Sequence, residues 1–210
     1  MNIKKMLLSL FAIITSILIY ESIISSGESI SRKQNNFNLE AISTCVMHVT
    51  KTHGMTSEQL NKSFDICSKS TRSLGITGDV FVMRKEDKKL FWDSSIDCRP
   101  ESGEKLYMTR DGVCGLFSDV DSCVEAVDIM IDNPPEGSIT WKFDDDIEYI
   151  DYRYIQDRNA ITGITQPLFI DGSEYIVAQG TQKDEIQGFF KLTYILLIVG
   201  NIILILIINY

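Results

Sequence analysis

The five cysteines are the residues of this 210-residue sequence whose type and spacing most directly predict chemistry. All of them lie between two apolar terminal segments, where an oxidising compartment would let them pair, and their odd number leaves one unpaired. Because there is no CxxC motif and no cluster of cysteine and histidine at metal spacing, disulfides are favoured over a zinc site. The disulfide candidates are Cys45, Cys67, Cys98, Cys114 and Cys123.

Aromatic side chains on predicted strands are a second group with binding chemistry. We expect most of them to pack in the core, but two or three could enclose a small ligand. An arginine, Arg110 or Arg153, would then bind a carboxylate of that ligand, or Asp93 would bind an amine. The predicted ligand-binding residues are Trp92, Tyr107, Arg110 and Trp141.

The sequence has only weak signals for a metal-binding site or a catalytic site. Asp144, Asp145 and Asp146 are adjacent, but they lack the alternating spacing, the glycine and the terminal glutamate of an EF-hand loop, so a solvated turn is favoured. The two histidines, His48 and His53, have no evident nucleophilic partner. We therefore predict that the protein is not an enzyme, with no catalytic residue, no metal site and no cofactor.

The charge of the chain restricts its partners. The formal net charge is −9, and residues 111–188 hold 17 acidic residues against only four basic ones. Such a surface repels phosphate backbones and anionic lipid headgroups, so we expect no nucleic-acid binding. Cationic ligands or basic partners fit this half of the chain better.

Apolar segments bracket the chain at both ends. Residues 6–24 follow Lys4 and Lys5 and are predicted to be a transmembrane signal anchor, although their short uninterrupted apolar stretch also fits a cleaved signal peptide. Residues 189–208 are long enough for a second transmembrane helix. We predict two spans in the inner membrane with both termini cytoplasmic, and a domain over residues 28–188 in the periplasm or at the cell exterior.

Gly200 and Asn201 lie in the middle of the second apolar segment. A mid-membrane amide often bonds across to another helix, so these two residues are the predicted contact with the first span, with a partner membrane protein or with a second copy in a homodimer. A lone asparagine that the membrane tolerates is the equally weighted alternative.

A helical hairpin is predicted to follow the first apolar segment. Apolar residues recur at helical spacing over residues 30–52, and Thr56 to Gln59 supplies a capping-box start for a second helix that extends to about Leu74. If the turn centres near residues 55–57, antiparallel packing brings together positions whose numbers sum to about 112. Cys45 and Cys67 meet that condition and are the predicted disulfide.

The remaining exterior residues predict mostly strands. A hairpin is expected from DVFVMR and LFWD, then a strand over residues 105–109 and a short helix from Asp119 to about Ile131. One bridge among the last three cysteines would pin this stretch. SITWKF, IEYIDYRYI, PLFI and EYIVAQG follow, with Asp171-Gly172 as the turn between the final two. The predicted fold is α+β: a helical hairpin packed on a five-stranded antiparallel sheet, flanked by two transmembrane helices.

This order of parts resembles a single Cache domain, the PAS-like extracytoplasmic sensor module of bacterial chemoreceptors and membrane histidine kinases. The resemblance covers residues 28–188 and depends on the GDVFVMRKEDKKLFWD hairpin, the ITWKFDDDIEYIDYRYI pair and the terminal strand EYIVAQGTQKDEI. It implies a small-ligand pocket in the segment from Trp92 through Ile131, facing Trp141 and Tyr149. Family receptors continue into a cytoplasmic output domain, whereas this sequence stops after the second apolar segment.

Two functions are consistent with these features. The first is a membrane-anchored, sensor-like module that binds a small molecule outside the cytoplasm and acts through a partner membrane protein. The alternative is an envelope protein encoded by a phage or mobile element that binds or interferes with a host membrane receptor. The alternative predicts a specific membrane partner and no requirement for a small molecule.

Overall fold

The computed structural model describes residues 3–53, 56–69, 79–94, 112–116, 120–143, 146–158 and 165–209. The helices in these ranges are α1 (Ile3–His53), α2 (Ser57–Lys69), α3 (Val120–Asp132) and α4 (Lys183–Asn209), with a short 3-10 helix at Val113–Leu116. The strands are β1 (Val80–Arg84), β2 (Lys89–Asp93), β3 (Glu136–Phe143), β4 (Asp146–Tyr154), β5 (Gln156–Arg158), β6 (Thr165–Pro167) and β7 (Tyr175–Gln182).

The first helix is a single element of 51 residues. The sequence predicts an apolar segment at residues 6–24 and a separate helix at residues 30–52, but α1 continues through the small residues between them. Residues 3–53 contain no proline, and the only glycine, Gly27, costs an α-helix about 1 kcal/mol, which is too little to end a long helix. The apolar segment and the exterior helix are therefore one rod.

The second helix packs against α1 as the predicted hairpin. Its start is a capping box, in which the Gln59 backbone N–H donates to Thr56 Oγ1 at 3.4 Å and the Thr56 N–H donates to Gln59 Oε1 at 3.2 Å. A disulfide joins Cys45 of α1 to Cys67 of α2, which confirms the predicted pair.

Five strands form one antiparallel sheet in the order β2-β1-β7-β4-β3. The α+β class and the five-stranded antiparallel sheet are thus as predicted. The membership differs at PLFI, because β7 is hydrogen-bonded by β1 on one side and by β4 on the other. No edge of β7 remains for another strand. Of PLFI only Pro167 lies in a strand, β6, which pairs with β5 in a separate two-stranded sheet.

The Asp171-Gly172 turn forms where the sequence places it. Ile170 and Ser173 make an isolated antiparallel bridge around it, and both turn residues have positive φ, 54° for Asp171 and 77° for Gly172. Glycine and aspartate are residues that two-residue hairpin turns of this kind prefer. The turn is therefore correctly predicted although PLFI is not a strand of the main sheet.

Helices cover both faces of the sheet. The α3 face is closed by a cluster of buried side chains that includes Phe81, Met83, Cys123, Val127, Met130, Trp141, Ile150 and Tyr152. The hairpin face, covered by α1 and α2, has its own cluster that includes Leu39, Ile42, Val46, Leu60, Phe64, Val82, Tyr175 and Val177. Alternation along each strand sends neighbouring residues to opposite faces, which is why one sheet supports two separate cores.

The last helix begins directly after β7 and packs along α1. Within the described part of the chain, α1 is the one helix that is long and apolar enough to cross a membrane. The apolar stretch of α4, Ile195–Ile207, is shorter than that. By length and composition α1 is therefore a candidate membrane span, while the second span over residues 189–208 stays a prediction.

Candidate functional site

A group of polar side chains lies between α1 and the sheet, where a hydrophobic interface would be the ordinary arrangement. We call this group the polar seam. It comprises Arg32, Asn35 and Asn38 of α1, Ser138 and Thr140 of β3, Asp151 of β4, and Gln179 and Thr181 of β7. Asn35, Asp151 and Thr181 have no exposed surface, and Asn38 and Gln179 have almost none.

Asp151 is the charged centre of the polar seam. Its carboxylate accepts hydrogen bonds from Asn35 Nδ2 at 3.0 Å, from Arg32 Nη1 at 3.3 Å and from the Ser138 hydroxyl. A carboxylate taken out of water is costly unless it is paired and hydrogen-bonded. The three donors meet that requirement, and the two on α1, Arg32 and Asn35, fix the position of α1 along β4.

Asn35 extends the same contact to β7. Its Nδ2 also donates to Thr181 Oγ1 at 3.2 Å, and the Thr181 hydroxyl can donate in return to Asn35 Oδ1 at 3.3 Å. Three residues along the helix, Asn38 Nδ2 donates to Gln179 Oε1 at 3.2 Å. Because Thr181 lies two residues before α4 begins at Lys183, the polar seam ties α1 to the point where the chain leaves the sheet.

The guanidinium of Arg32 joins the edge of the sheet to α1. Its Nε donates to Glu28 one turn earlier at 3.0 Å, and its Nη2 donates to Thr140 Oγ1 at 3.3 Å. The guanidinium carbon also lies 4.9 Å from the centre of the Tyr149 ring, a cation–π distance. A satisfied network of this kind favours one register of helix on sheet over its neighbours.

Two of the predicted ligand-binding residues lie in the described ranges, and the structure does not bring them together. Trp92 packs on the hairpin face, stacked on Phe64 with 6.1 Å between ring centroids. Trp141 is buried in the cluster of the α3 face. The sheet separates them, so one pocket holding both is not formed. Tyr107 and Arg110 lie outside the described residues.

The other predicted positions are placed as follows. Cys114 and Cys123 form a disulfide beside α3, and Cys98 lies outside the described residues. Gly200 is exposed, with nothing within 4 Å of where a Cβ would be, and Asn201 Nδ2 donates to the Leu197 carbonyl of its own helix at 2.7 Å. A contact of Gly200 and Asn201 with another helix stays a prediction. Asp146 begins β4, while its two acidic neighbours lie outside the described residues.

The α3 face has a different chemistry, carried by two buried tyrosines. The Tyr154 hydroxyl donates to the Ile131 carbonyl at 2.8 Å and lies 3.2 Å from the Met130 carbonyl, and the Tyr152 hydroxyl donates to the Asn133 carbonyl at 2.9 Å. Burial raises the pKa of Tyr154 to about 12 and also raises the pKa of Tyr152. Both hydroxyls therefore stay protonated and hold the end of α3.

A further residue with a strongly shifted pKa, Asp87, lies in the β1–β2 hairpin. Hydrogen bonds from Arg84 lower the pKa of the Asp87 carboxyl to about 2. Arg84 ends β1 and Asp87 lies in the turn that follows, where Lys89 Nζ also lies 3.3 Å from the Asp87 carboxylate, so the pair stabilises the hairpin. Among the described residues, no group of three His, Cys, Asp or Glu side chains is arranged to hold a metal ion.

The sequence contains a signal for the polar seam that the prediction did not use. Asn35 and Asn38 continue, at helical spacing, the inward stripe of Leu39, Ile42 and Val46. Amides at inward positions of a helix indicate a polar partner on the surface it covers, because a buried amide has to be hydrogen-bonded. On β4, Asp151 lies between Ile150 and Tyr152, which face α3, so alternation places Asp151 on the face that α1 covers.

Comparison with known proteins gives little beyond this geometry. No family model matches the chain, and no curated protein matches it. A solved structure, the periplasmic domain of Vibrio cholerae LuxQ, matches at 13% sequence identity with a TM-score of 0.38, over 84% of this chain and 70% of that one. A likeness at this level supports no inference about activity.

Proposed function

We propose that the protein is a membrane-anchored, extracytoplasmic sensor-like module of the Cache-like PAS class, which passes the state of its sheet domain to its membrane helices. It would act through a partner membrane protein, with α1 and α4 as two spans and both termini in the cytoplasm. The observation that carries the proposal is the position of Asn35, which bonds to Asp151 of β4 and to Thr181 at the end of β7.

The length of α1 supports this proposal. A helix without a break transmits a shift or rotation along its axis, because each backbone N–H is bonded to the carbonyl four residues earlier. Asn35 lies on the same helix as the apolar segment at residues 6–24. A change at the sheet that moved Asn35 would therefore move the apolar segment with it.

The start of α4 supports it from the other side. β7 is a central strand of the sheet, paired with β1 and β4, and it leads into α4 without a loop. Any change in how α1 docks on Thr181 acts at this junction. The polar seam is thus the place where both helices can be displaced relative to each other by one event in the domain.

Photo-crosslinking in living cells tests the proposal. A photoreactive residue is introduced at Gly200, which is exposed on α4, and crosslinked membrane proteins are identified with and without Asn35→Ala. Asn36→Ala is the matched control, because Asn36 is its neighbour on α1 and lies outside the polar seam. We expect one defined membrane protein to be captured, with a yield that changes in Asn35→Ala and not in Asn36→Ala.

The contrary outcomes separate the alternatives. Capture of a receptor with the same yield in all three proteins would favour passive interference over sensing. If no membrane protein is captured from Gly200 or from the neighbouring exposed positions Ile202 and Ile203, the proposed action through a partner is wrong.

A further inference from the structure

A groove lies where α1 leaves its apolar segment, between α1 and the outer edge of β3. We call it the α1–β3 groove, and its volume is about 400 Å³. β3 is an edge strand, so no further strand covers this side of the groove in the described part of the chain. Steps of three or four residues place its α1 members on one face of the helix. They are Ser25, Glu28, Ser29, Arg32, Lys33 and Asn36, and Ser138 of β3 lies opposite them.

The groups that a ligand can reach in the α1–β3 groove have opposite charges. Lys33 is exposed and forms no ion pair with another described residue. The Glu28 side chain is 36% exposed, and its Oε1 accepts from Arg32 Nε at 3.0 Å, while its second oxygen has no partner among the described residues. Arg32 is held by Glu28 and by Asp151. The Lys33 ammonium is therefore the available cation of the groove, and the second oxygen of Glu28 is its available anionic acceptor.

The position of the groove along α1 determines what surrounds it. With α1 as the membrane span on which the proposed function rests, residues 6–24 occupy the hydrocarbon core, which is about 30 Å thick. Ser25 and Glu28 then lie within the headgroup layer, which extends about 5–8 Å beyond the core, since a helix rises about 1.5 Å per residue. Side chains of a helix lean towards its N-terminus, so the long Lys33 side chain extends back towards the same layer.

We propose that the α1–β3 groove binds the headgroup of an ethanolamine phospholipid from the extracytoplasmic leaflet of the membrane. The phosphodiester accepts from the Lys33 ammonium and from the exposed Ser29 hydroxyl, and the primary ammonium of the headgroup donates to Glu28. A headgroup that is only anionic places its charge near the Glu28 carboxylate and is repelled by it. A choline headgroup has no N–H to donate to Glu28. The ethanolamine headgroup is the one that satisfies both charges.

Two lining residues connect the α1–β3 groove to the polar seam. Arg32 and Ser138 both donate to the buried carboxylate of Asp151. An ammonium group at Glu28 competes with Arg32 for the Glu28 carboxylate, so an occupied groove changes one of the contacts that hold the Arg32 guanidinium over the sheet. The regulatory meaning of the groove rests on the proposed function, whereas lipid binding itself needs no partner protein.

Lipid titration of the full chain in detergent micelles, followed by native mass spectrometry and thermal unfolding, tests the inference. The probe is dioleoyl phosphatidylethanolamine, and the controls are phosphatidylcholine and phosphatidylglycerol with the same acyl chains. We expect one ethanolamine lipid per chain to bind saturably and raise Tm, and each control lipid to bind at least fivefold more weakly. Free phosphoethanolamine distinguishes a lipid from a soluble ligand, and we expect no binding of it at millimolar concentration.

Neutral variants of the two charged groups separate a binding role from a structural one. Lys33→Gln and Glu28→Gln should each weaken binding of the ethanolamine lipid about fivefold, because each removes one charge pair at the membrane surface. Glu28→Gln also removes the repulsion of an anionic headgroup, so it should strengthen binding of phosphatidylglycerol, whereas Lys33→Gln should not. The matched controls, Lys62→Gln on α2 and Glu125→Gln on α3, change exposed residues away from the groove and should leave lipid binding unaltered.

The inference is wrong if the ethanolamine lipid does not bind saturably, if either control lipid binds the wild type as tightly, or if both Lys33→Gln and Glu28→Gln bind it fully. Equally tight binding of free phosphoethanolamine would assign the groove to a soluble ligand and overturn the lipid. These results are independent of the crosslinking from Gly200. Selective lipid binding with no captured partner contradicts the proposed action through a partner and leaves the groove, and the reverse result contradicts the groove alone.

Discussion

The two faces of the sheet are held by different interactions. The α3 face is closed by apolar side chains, with tyrosine hydroxyls bonded to carbonyls at and just after the end of α3. The hairpin face is apolar only where α1 and α2 meet β1 and β7, and towards the apolar segment of α1 it becomes the polar seam. The same strand, β4, takes part in both arrangements.

This difference bears on what each face can do. The energy of apolar packing is non-directional and weakens only gradually when the packed elements are displaced. Such packing stabilises α3 on the sheet without sharply defining one register of α3. Hydrogen bonds among Asn35, Asp151 and Thr181 are lost if the helix shifts by a fraction of a turn, since they require short distances and good angles. The polar seam therefore sets the position of α1 on the sheet more sharply than apolar packing sets the position of α3.

The largest expected losses of stability come from substitutions at two neighbouring residues of β4, Asp151 and Ile150, which face opposite sides of the sheet. Asp151→Ala removes the acceptor of Arg32, Asn35 and Ser138, and we expect it to lower the free energy of unfolding by about 3–5 kcal/mol. Ile150→Ala empties a buried site on the α3 face and should cost about 2–5 kcal/mol. Urea unfolding of the full chain in detergent micelles measures both.

The two variants should differ in their effect on the positions of α1 and α4. Crosslinking from Gly200 should change in Asp151→Ala and stay the same in Ile150→Ala, although both proteins lose stability. Equal changes in crosslinking would mean that general loosening, and not the polar seam, moves the helices. A loss below about 1 kcal/mol for Asp151→Ala would show an ordinary surface ion pair instead of a buried network.

The next effect compares the disulfides of the two faces. Cys45 and Cys67 are 22 residues apart, and Cys114 and Cys123 are nine apart. In the chain-entropy account, replacing the first pair by serine should cost about 3.5 kcal/mol and replacing the second about 2.5 kcal/mol. Chemical denaturation in a Cys98→Ser background measures both losses without exchange by the fifth cysteine. A larger loss for the second pair would mean that native-state contacts, not loop closure, dominate on the α3 face.

Much of the fold follows from local sequence patterns. The capping box at Thr56 and Gln59, the alternation in β1 and β4, and the Asp171-Gly172 turn are each set by residues within a few positions of one another. The Cys45–Cys67 pair follows from the turn position alone, because an antiparallel hairpin fixes which residues face each other. These features can be predicted without reference to the rest of the chain.

Features that depend on competition between distant segments could not be predicted in this way. PLFI has the composition of a strand, but both edges of β7 are occupied by β1 and β4. Trp92 and Trp141 both lie on strands, yet only the pairing of β1 with β2 and of β3 with β4 decides that they face opposite sides. The polar seam likewise joins Asn35 to residues more than 100 positions away.

The smallest expected effect tests the polar part of the α3 face. Tyr154→Phe removes the hydroxyl that donates to the Ile131 carbonyl, and it should lower the free energy of unfolding by about 1 kcal/mol at neutral pH. Since burial raises the pKa of Tyr154 from 10.0 in the unfolded chain to about 12, its protonated form contributes stability below pH 10. That contribution is lost as the pH rises from 10 to 12, so the difference between the wild type and Tyr154→Phe should narrow over this range. Thermal unfolding at a series of alkaline pH values measures this difference in stability. If the difference stays constant up to pH 12, the Tyr154 hydroxyl is exposed to solvent and does not hold α3 to the sheet.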